Sequence, residues 1–445
     1  MGERLDSGRC LRHSKRVNAM TRLFRQSSLG LVLLMPWFLL HARVGAEIAF
    51  DLVAAGFLVV SAVRRDWRWL RAPWVLLAGA WWGWLMVCTA IGATRPGADG
   101  ASLLQAGLVV RFLLATAAIE HWVLAGRAER RWFFGSLAAA TVYVAAQTLL
   151  QFATGHNLYG VPRSEDGELT GPFTKPRDAP TFIRMVFPVL LPAAAGLIAG
   201  GWGRRLAGAA LVAGAMAVVV LIGQRMPLLL AVLGLVTTGL LLPRLRGVVV
   251  IAVVAAGALV GASFVVAPPT FYRLVTKFTQ QMEGFAASPY GLIAERTVAI
   301  IEQHPLVGRG YDGYRTGCPD PRYFQAWHWP GEPASVDPSG TTLCLTHPHN
   351  LYLQAASDAG LPGLVLFCAL VAVWLRRLAR GMLRTPAPAR AGVFVALLIQ
   401  LWPVASTSPL VSLPIGGWFF LLLGLGLAQA TDYMGVESFE TPHVR

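Results

Sequence analysis

Apolar runs of about fifteen to twenty-two residues recur along the whole chain, each close to the length that carries an α-helix across hydrocarbon. Short polar or basic stretches separate them. A segment in lipid has to satisfy its own backbone N–H and C=O groups, so only helices or a closed barrel can span. A barrel would show short segments of alternating polarity, and the chain shows none. The pattern predicts an all-α, polytopic membrane protein. Spans are expected near 28–42, 45–63, 73–93, 101–125, 132–154, 180–200, 206–223, 226–242, 248–267, 350–375, 391–412 and 414–430, about twelve in all. The chain then divides into nine helices over 1–267, a long loop over 268–349, and helices ten to twelve with a tail over 350–445.

Charge sets the orientation. Charged residues make up 14% of the chain, against about a quarter in soluble domains. The formal net charge is +15, which by itself would suit a nucleic-acid partner. Its placement excludes that reading. The N-terminus, RRDWRWLR, GRAERR, GWGRR, PRLRG and RRLARGMLRTPAPAR carry the excess on alternate connections. This positive-inside pattern puts both termini in the cytoplasm. The first run is taken as a span, not a cleaved signal segment, because losing it would break that alternation.

Two connections on the opposite side are long: about 155–180 and about 268–349. Loops of the second size usually contain structure or carry function. Within it, SPYGLIAERTVAIIEQHP predicts a helix with Ser288 as N-cap, Pro289 in the first turn and His304-Pro305 as the stop. Cys318 and Cys344 both fall in this loop. Outside the cytoplasm a disulfide between them is permitted, though not required.

Charged groups at the outer membrane face are costly and need a reason. Arg184 lies just inside the sixth span, Arg225 in a tight hairpin, Arg296 on the loop helix, and His349 at the start of the tenth span. An arginine fork matches phosphate oxygens, and histidine accepts a proton near neutral pH without special tuning. Cations for an anionic leaving group beside a base for a nucleophile form a transferase layout. Each residue also has a plainer reading. Arg225 can snorkel to the interface, Arg296 can pair with Glu295, Arg184 can be structural, and His347 or His349 can cap a helix. Arg111 can pair with Glu120 or line a cavity. No DxD, HExxH or dense carboxylate pair occurs on the outer face, and SEDGE (Ser164 to Glu168) is expected to be a solvated loop. No metal site is expected, so arginine would have to meet the leaving-group charge.

His349-Asn350, nine residues, then Gly360-Leu361-Pro362-Gly363 resembles the H[NSQ]-x9-GxxG signature of bacterial O-antigen ligases. Arg225 in its hairpin and ER-x7-HPLVGRGY, Glu295 to Tyr311, resemble the wider superfamily, which includes O-antigen polymerases and protein O-oligosaccharyltransferases. The resemblance covers roughly residues 180 to 380. One departure is that Leu364 and Val365 follow GxxG where ligases often have two threonines. The resemblance implies a GT-C-like membrane glycosyltransferase without a cofactor or metal. Its donor would be O-antigen linked to undecaprenyl diphosphate, and its acceptor a sugar hydroxyl of lipid A–core, at the periplasmic face of the Gram-negative inner membrane. His349 would activate the acceptor, and Arg225 and Arg296, with Arg184 assisting, would hold the diphosphate. Asn350 would orient the ring, and His347, Pro348 and Tyr352 would shape the approach. The alternatives are a polymerase with a lipid-linked glycan as acceptor, a protein O-oligosaccharyltransferase, and, from another class, a flippase or transporter.

Overall fold

The computed structural model describes residues 3–94, 100–323, 329–330, 344, 347–406, 409–413 and 415–433. Thr346, and most of the stretch from Cys318 to Leu345, lie outside them. The chain is all-α, with one isolated bridge between His156 and Pro162 among the described residues. Helices α1 (Glu3–His41), α2 (Arg43–Arg64), α3 (Pro73–Gly92), α4 (Ala101–Leu108), α5 (Val110–Ala118) and α6 (Arg127–Thr154) form the first part. Next come α7 (Asp178–Ile198), α8 (Trp202–Ile222), α9 (Arg225–Leu241) and α10 (Arg246–Val266). Four short helices follow: α11 (Pro268–Phe271), α12 (Lys277–Glu283), α13 (Pro289–Gln303) and α14 (Gly313–Gly317). The chain then returns to the bundle as α15 (Leu351–Ala379), α16 (Pro388–Gln400) and α17 (Ile415–Tyr433).

Nine helices among the described residues are long and apolar enough to cross a membrane. Three shorter apolar helices, α9, α16 and most of α17, stand where the remaining spans are expected. The eleventh span is corrected most. It is expected over 391–412, but α16 has 13 residues and stops at Gln400. Such a helix covers about 20 Å, short of the roughly 30 Å of hydrocarbon. Residues 401–406 and 409–413 have no helix, and irregular backbone near a membrane has to be satisfied by protein. The fourth span is also interrupted, with α4 and α5 followed by a π-turn at Ile119–Val123. Glu120 of that turn is buried and accepts from Trp74 Nε1 at 2.9 Å and Thr431 Oγ1 at 3.1 Å. Its ion-pair partner is Arg377, whereas Arg111 pairs with Asp51 at 3.4 Å.

Two hydrophobic cores result. The larger one runs through the bundle, with α7 packed on α16 and α3 on α15. The smaller one belongs to the long loop and consists of Ile293, Ala299, Ile300, Tyr314, Cys318 and Tyr323. Helix α13 starts as its residues dictate. Ser288 Oγ accepts from Gly291 N, Pro289 occupies the first turn, and the helix ends before His304.

Candidate active site

Asn350 marks the change from extended backbone to α15. Its side-chain oxygen accepts the N–H groups of Tyr352 (2.9 Å) and Leu353 (3.1 Å), an N-cap. Its amide nitrogen donates to Pro403 O at 2.7 Å, and the Tyr352 hydroxyl donates to Leu401 O at 2.7 Å. The start of α15 and the turns after α16 are therefore stitched into one unit. Asn350 thus serves as the N-cap of α15 and ties it to the turns after α16.

His349 sits just before this cap with φ +53°, a left-handed conformation unusual for a residue with a side chain. Such strain, on the order of 1–3 kcal/mol, persists only where the surroundings hold it. The His347 ring packs on His349 with centroids 4.3 Å apart, and the Tyr290 ring meets it edge-on at 5.6 Å. Burial lowers the His349 pKa below its ordinary 6.5. Burial, and then the neighbouring His349, brings His347 down to about 4. Both imidazoles are neutral at neutral pH, and a neutral imidazole can take a proton.

The arginines are held in an informative way. Arg184 is buried at the α7–α16 contact, 5% exposed, and its Nε donates to Gln400 Oε1 at 3.0 Å. Gly223, in the left-handed region at φ +80°, ends α8 and turns the chain so that α9 starts at Arg225. Arg225 Nη1 donates to Gln281 Oε1 of α12. Neither arginine has a carboxylate within ion-pair distance among the described residues. A glutamine carbonyl fixes a guanidinium without neutralising it, and a buried charge without a counterion is costly. Arg296 Nη1 donates to Cys318 O at 3.4 Å, and Cys318 and Cys344 are joined as a disulfide with Cα atoms 5.6 Å apart. Hydrogen bonds thus lead from Arg184 through Gln400 and the turns after it to the start of α15, which follows His349. Arg225 is anchored instead on α12, and Arg296 on the loop core.

Gly360 and Gly363 belong to a break in α15, where Gly360 has φ +67° and ψ −174°. Pro362 has no N–H for the Asp358 carbonyl, so Gly310 N supplies one at 2.8 Å. Arg309 N donates to Ser357 O at 2.8 Å, Leu361 N to Pro305 O at 2.7 Å, and Trp84 Nε1 to Ala359 O at 2.9 Å. The stretch HPLVGRGY is the strap that satisfies the broken helix. It joins α13, which carries Arg296 and Tyr290, to α15, which follows His349.

The loop before α7 is a packed cap. Gln151 Nε2 donates to Thr170 Oγ1 at 2.9 Å, and its oxygen accepts Thr170 N at 2.7 Å and Gly171 N at 3.0 Å. The expectation that SEDGE is solvated is corrected at Glu168, which is 6% exposed and ion-paired with Arg273. Gln224 Nε2, beside Arg225, donates to Glu168 Oε2 at 3.2 Å. Arg273, Gln281 and Gln400 hold these groups and are absent from the sequence expectations, and Glu168 is not a site residue in them. Arg273 carries the signal that marked Arg225, a charge at the outer edge of an apolar run. The two glutamines carry none. Among the described residues no three His, Cys, Asp or Glu side chains gather as a metal site needs.

Residues 183–368 match the sequence model of the O-antigen ligase family. That stretch is under half of the chain, and its match supports membership of the O-antigen ligase superfamily. No curated relative matches it. With the apolar helices, the match supports a multi-pass, glycan-transferring enzyme of the ligase or polymerase kind in O-antigen biosynthesis and points to lipid-linked glycans as substrates. The matched stretch runs from Ile183 to Cys368 and includes Arg184, Arg225, Arg296, His349 and the α15 break. Gln400, Leu401 and Pro403, which hold Arg184 and the start of α15, lie beyond it.

Proposed function

We propose that the chain is an O-antigen ligase of the Gram-negative inner membrane, with both termini cytoplasmic and its active site periplasmic. It transfers glycan from undecaprenyl diphosphate to a sugar hydroxyl of lipid A–core, with inversion and without a metal. The observation that carries the reading is that Arg184 and Arg225 are held by glutamine carbonyls and not by carboxylates. That arrangement leaves positive charge for an incoming diphosphate to neutralise.

The acceptor hydroxyl is hydrogen-bonded to neutral His349 and attacks the anomeric carbon opposite the diphosphate. A new C–O bond forms, the bond to the diphosphate oxygen breaks, and the hydroxyl proton passes to His349. Arg184, Arg225 and Arg296 meet the charge that develops on the departing diphosphate. A preorganised donor of this kind is worth about 3–4 kcal/mol in the barrier, and a positioned general base about 10² to 10⁴ in rate. Both substrates are lipid-anchored, so the base belongs near the membrane surface, and His349 is held there next to the capped start of α15.

The test uses purified protein in detergent with EDTA, undecaprenyl-diphosphate-linked glycan, and lipid A–core added or withheld. Glycan on lipid A–core with wild type, and none with His349→Ala, supports the ligase. Chain growth without lipid A–core makes the enzyme a polymerase. Transfer that requires an added divalent ion removes the metal-independent mechanism.

A further inference from the structure

Tyr290 is the second residue of α13 and is 42% exposed, yet its ring meets the His349 imidazole edge-on, at 5.6 Å and 80°. The turn that carries it is rigid. Ser288 caps it, and a Cβ on Gly291 would lie 2.0 Å from the Phe285 carbonyl oxygen. Two further aromatics gather there. Phe285 and Trp329 pack edge to face at 5.5 Å, and Trp329 Nε1 donates to Gly291 O at 3.1 Å. Interfacial tyrosines often serve as membrane anchors. The contact with the base sets Tyr290 apart.

Geometry points to the occupant. A hydroxyl that gives its proton to His349 lies about 2.6–3.2 Å from the ring nitrogen. The sugar ring carrying that hydroxyl then lies at about the distance from the imidazole at which Tyr290 stands. The C–H face of a pyranose is apolar and slightly electropositive, and the face of an aromatic ring is electronegative. We propose that Tyr290 is the platform on which the acceptor sugar stacks while its hydroxyl reaches His349, so that Tyr290 selects the acceptor. The inference rests on the transferase reading above.

The test measures sugar binding and transfer with the full-length protein. Core oligosaccharide freed of lipid A and, separately, an O-antigen repeat-unit oligosaccharide are titrated onto wild type, Tyr290→Ala and Tyr290→Trp without donor. Wild type is expected to bind at least one of them. Tyr290→Ala should weaken that binding on the order of tenfold, and Tyr290→Trp should restore it. In transfer assays the acceptor KM of Tyr290→Ala rises by the same factor, while the donor KM and the acid limb of the pH profile stay in place. Undiminished binding by Tyr290→Ala overturns the proposal. So does a loss confined to kcat and the pH profile, which would mean that Tyr290 only braces His349. Failure of wild type to bind either sugar overturns it as well. The transferase reading fails separately, when wild type binds sugar but transfers no glycan to any acceptor.

Discussion

A Cβ placed on Gly360 would sit 2.3 Å from the carbonyl oxygen of Leu306. The break in α15 and the strap from Pro305 to Gly310 therefore lie backbone against backbone, and only glycine fits at φ +67° with that neighbour. Gly360→Ala should cost about 2–4 kcal/mol by pushing the strap away. Thermal unfolding in detergent would show it as a lower midpoint, with loss of transfer. An unchanged midpoint would mean that the strap does not brace the break.

Arg225→Lys should lose about 10² to 10³ in turnover, because a point charge does not reproduce the fork that a diphosphate binds. Gln400→Ala should act more mildly, at about 1.5–3 kcal/mol, since it deprives a buried guanidinium of one hydrogen bond. Single-turnover rates at saturating donor separate the two. Wild-type turnover in Arg225→Lys would end its assignment to the diphosphate.

Proton linkage gives a third expectation. Burial lowers the pKa of His349 below 6.5, so a neutral base persists into mild acid. The acid limb of kcat/KM should have its midpoint below 6.5. His347, at about 4 in the fold, takes up its proton at 6.5 once unfolded. The unfolded state then binds more protons, and stability falls as pH drops from about 6.5 to about 4, levelling off below. A rate profile with an acid midpoint above 6.5 would contradict the buried, neutral base.

The Cys318–Cys344 disulfide closes onto a core of only six buried residues. Cys344 stands five positions before His349, and Cys318 O accepts from Arg296. A dithiol reagent would supply two electrons and two protons and leave two thiols. The reduced protein should then lose transfer while α1 to α10 stay folded, and reoxidation should restore it. Loss of a native disulfide from a small domain costs about 2–5 kcal/mol. Full activity in a protein whose thiols are confirmed free by mass would show that the bridge is dispensable.

Much of this protein was determined by local rules that need no tertiary information. Apolar run lengths set the helices, because a backbone in lipid must bond within its own segment. Ser288-Pro289 and His304-Pro305 set the ends of α13, since capping and proline sterics act within a few residues. His349 and Arg225 stood out because a titratable group at a membrane edge is conspicuous against its neighbours. What only the tertiary structure decided are pairings between distant residues. Gln400 lies 216 positions from Arg184, and Gln281 lies 56 from Arg225. Neutral glutamines carry no signal of their own, so the difference between a guanidinium that is cancelled and one left charged appears only on folding. The shortened α16 is partly local, because Pro403 has no N–H to continue the helix. Only the tertiary structure decided that the Leu401 and Pro403 carbonyls accept from Tyr352 and Asn350. Hydrogen bonds to a neighbouring helix replaced the ones that a longer helix would have made.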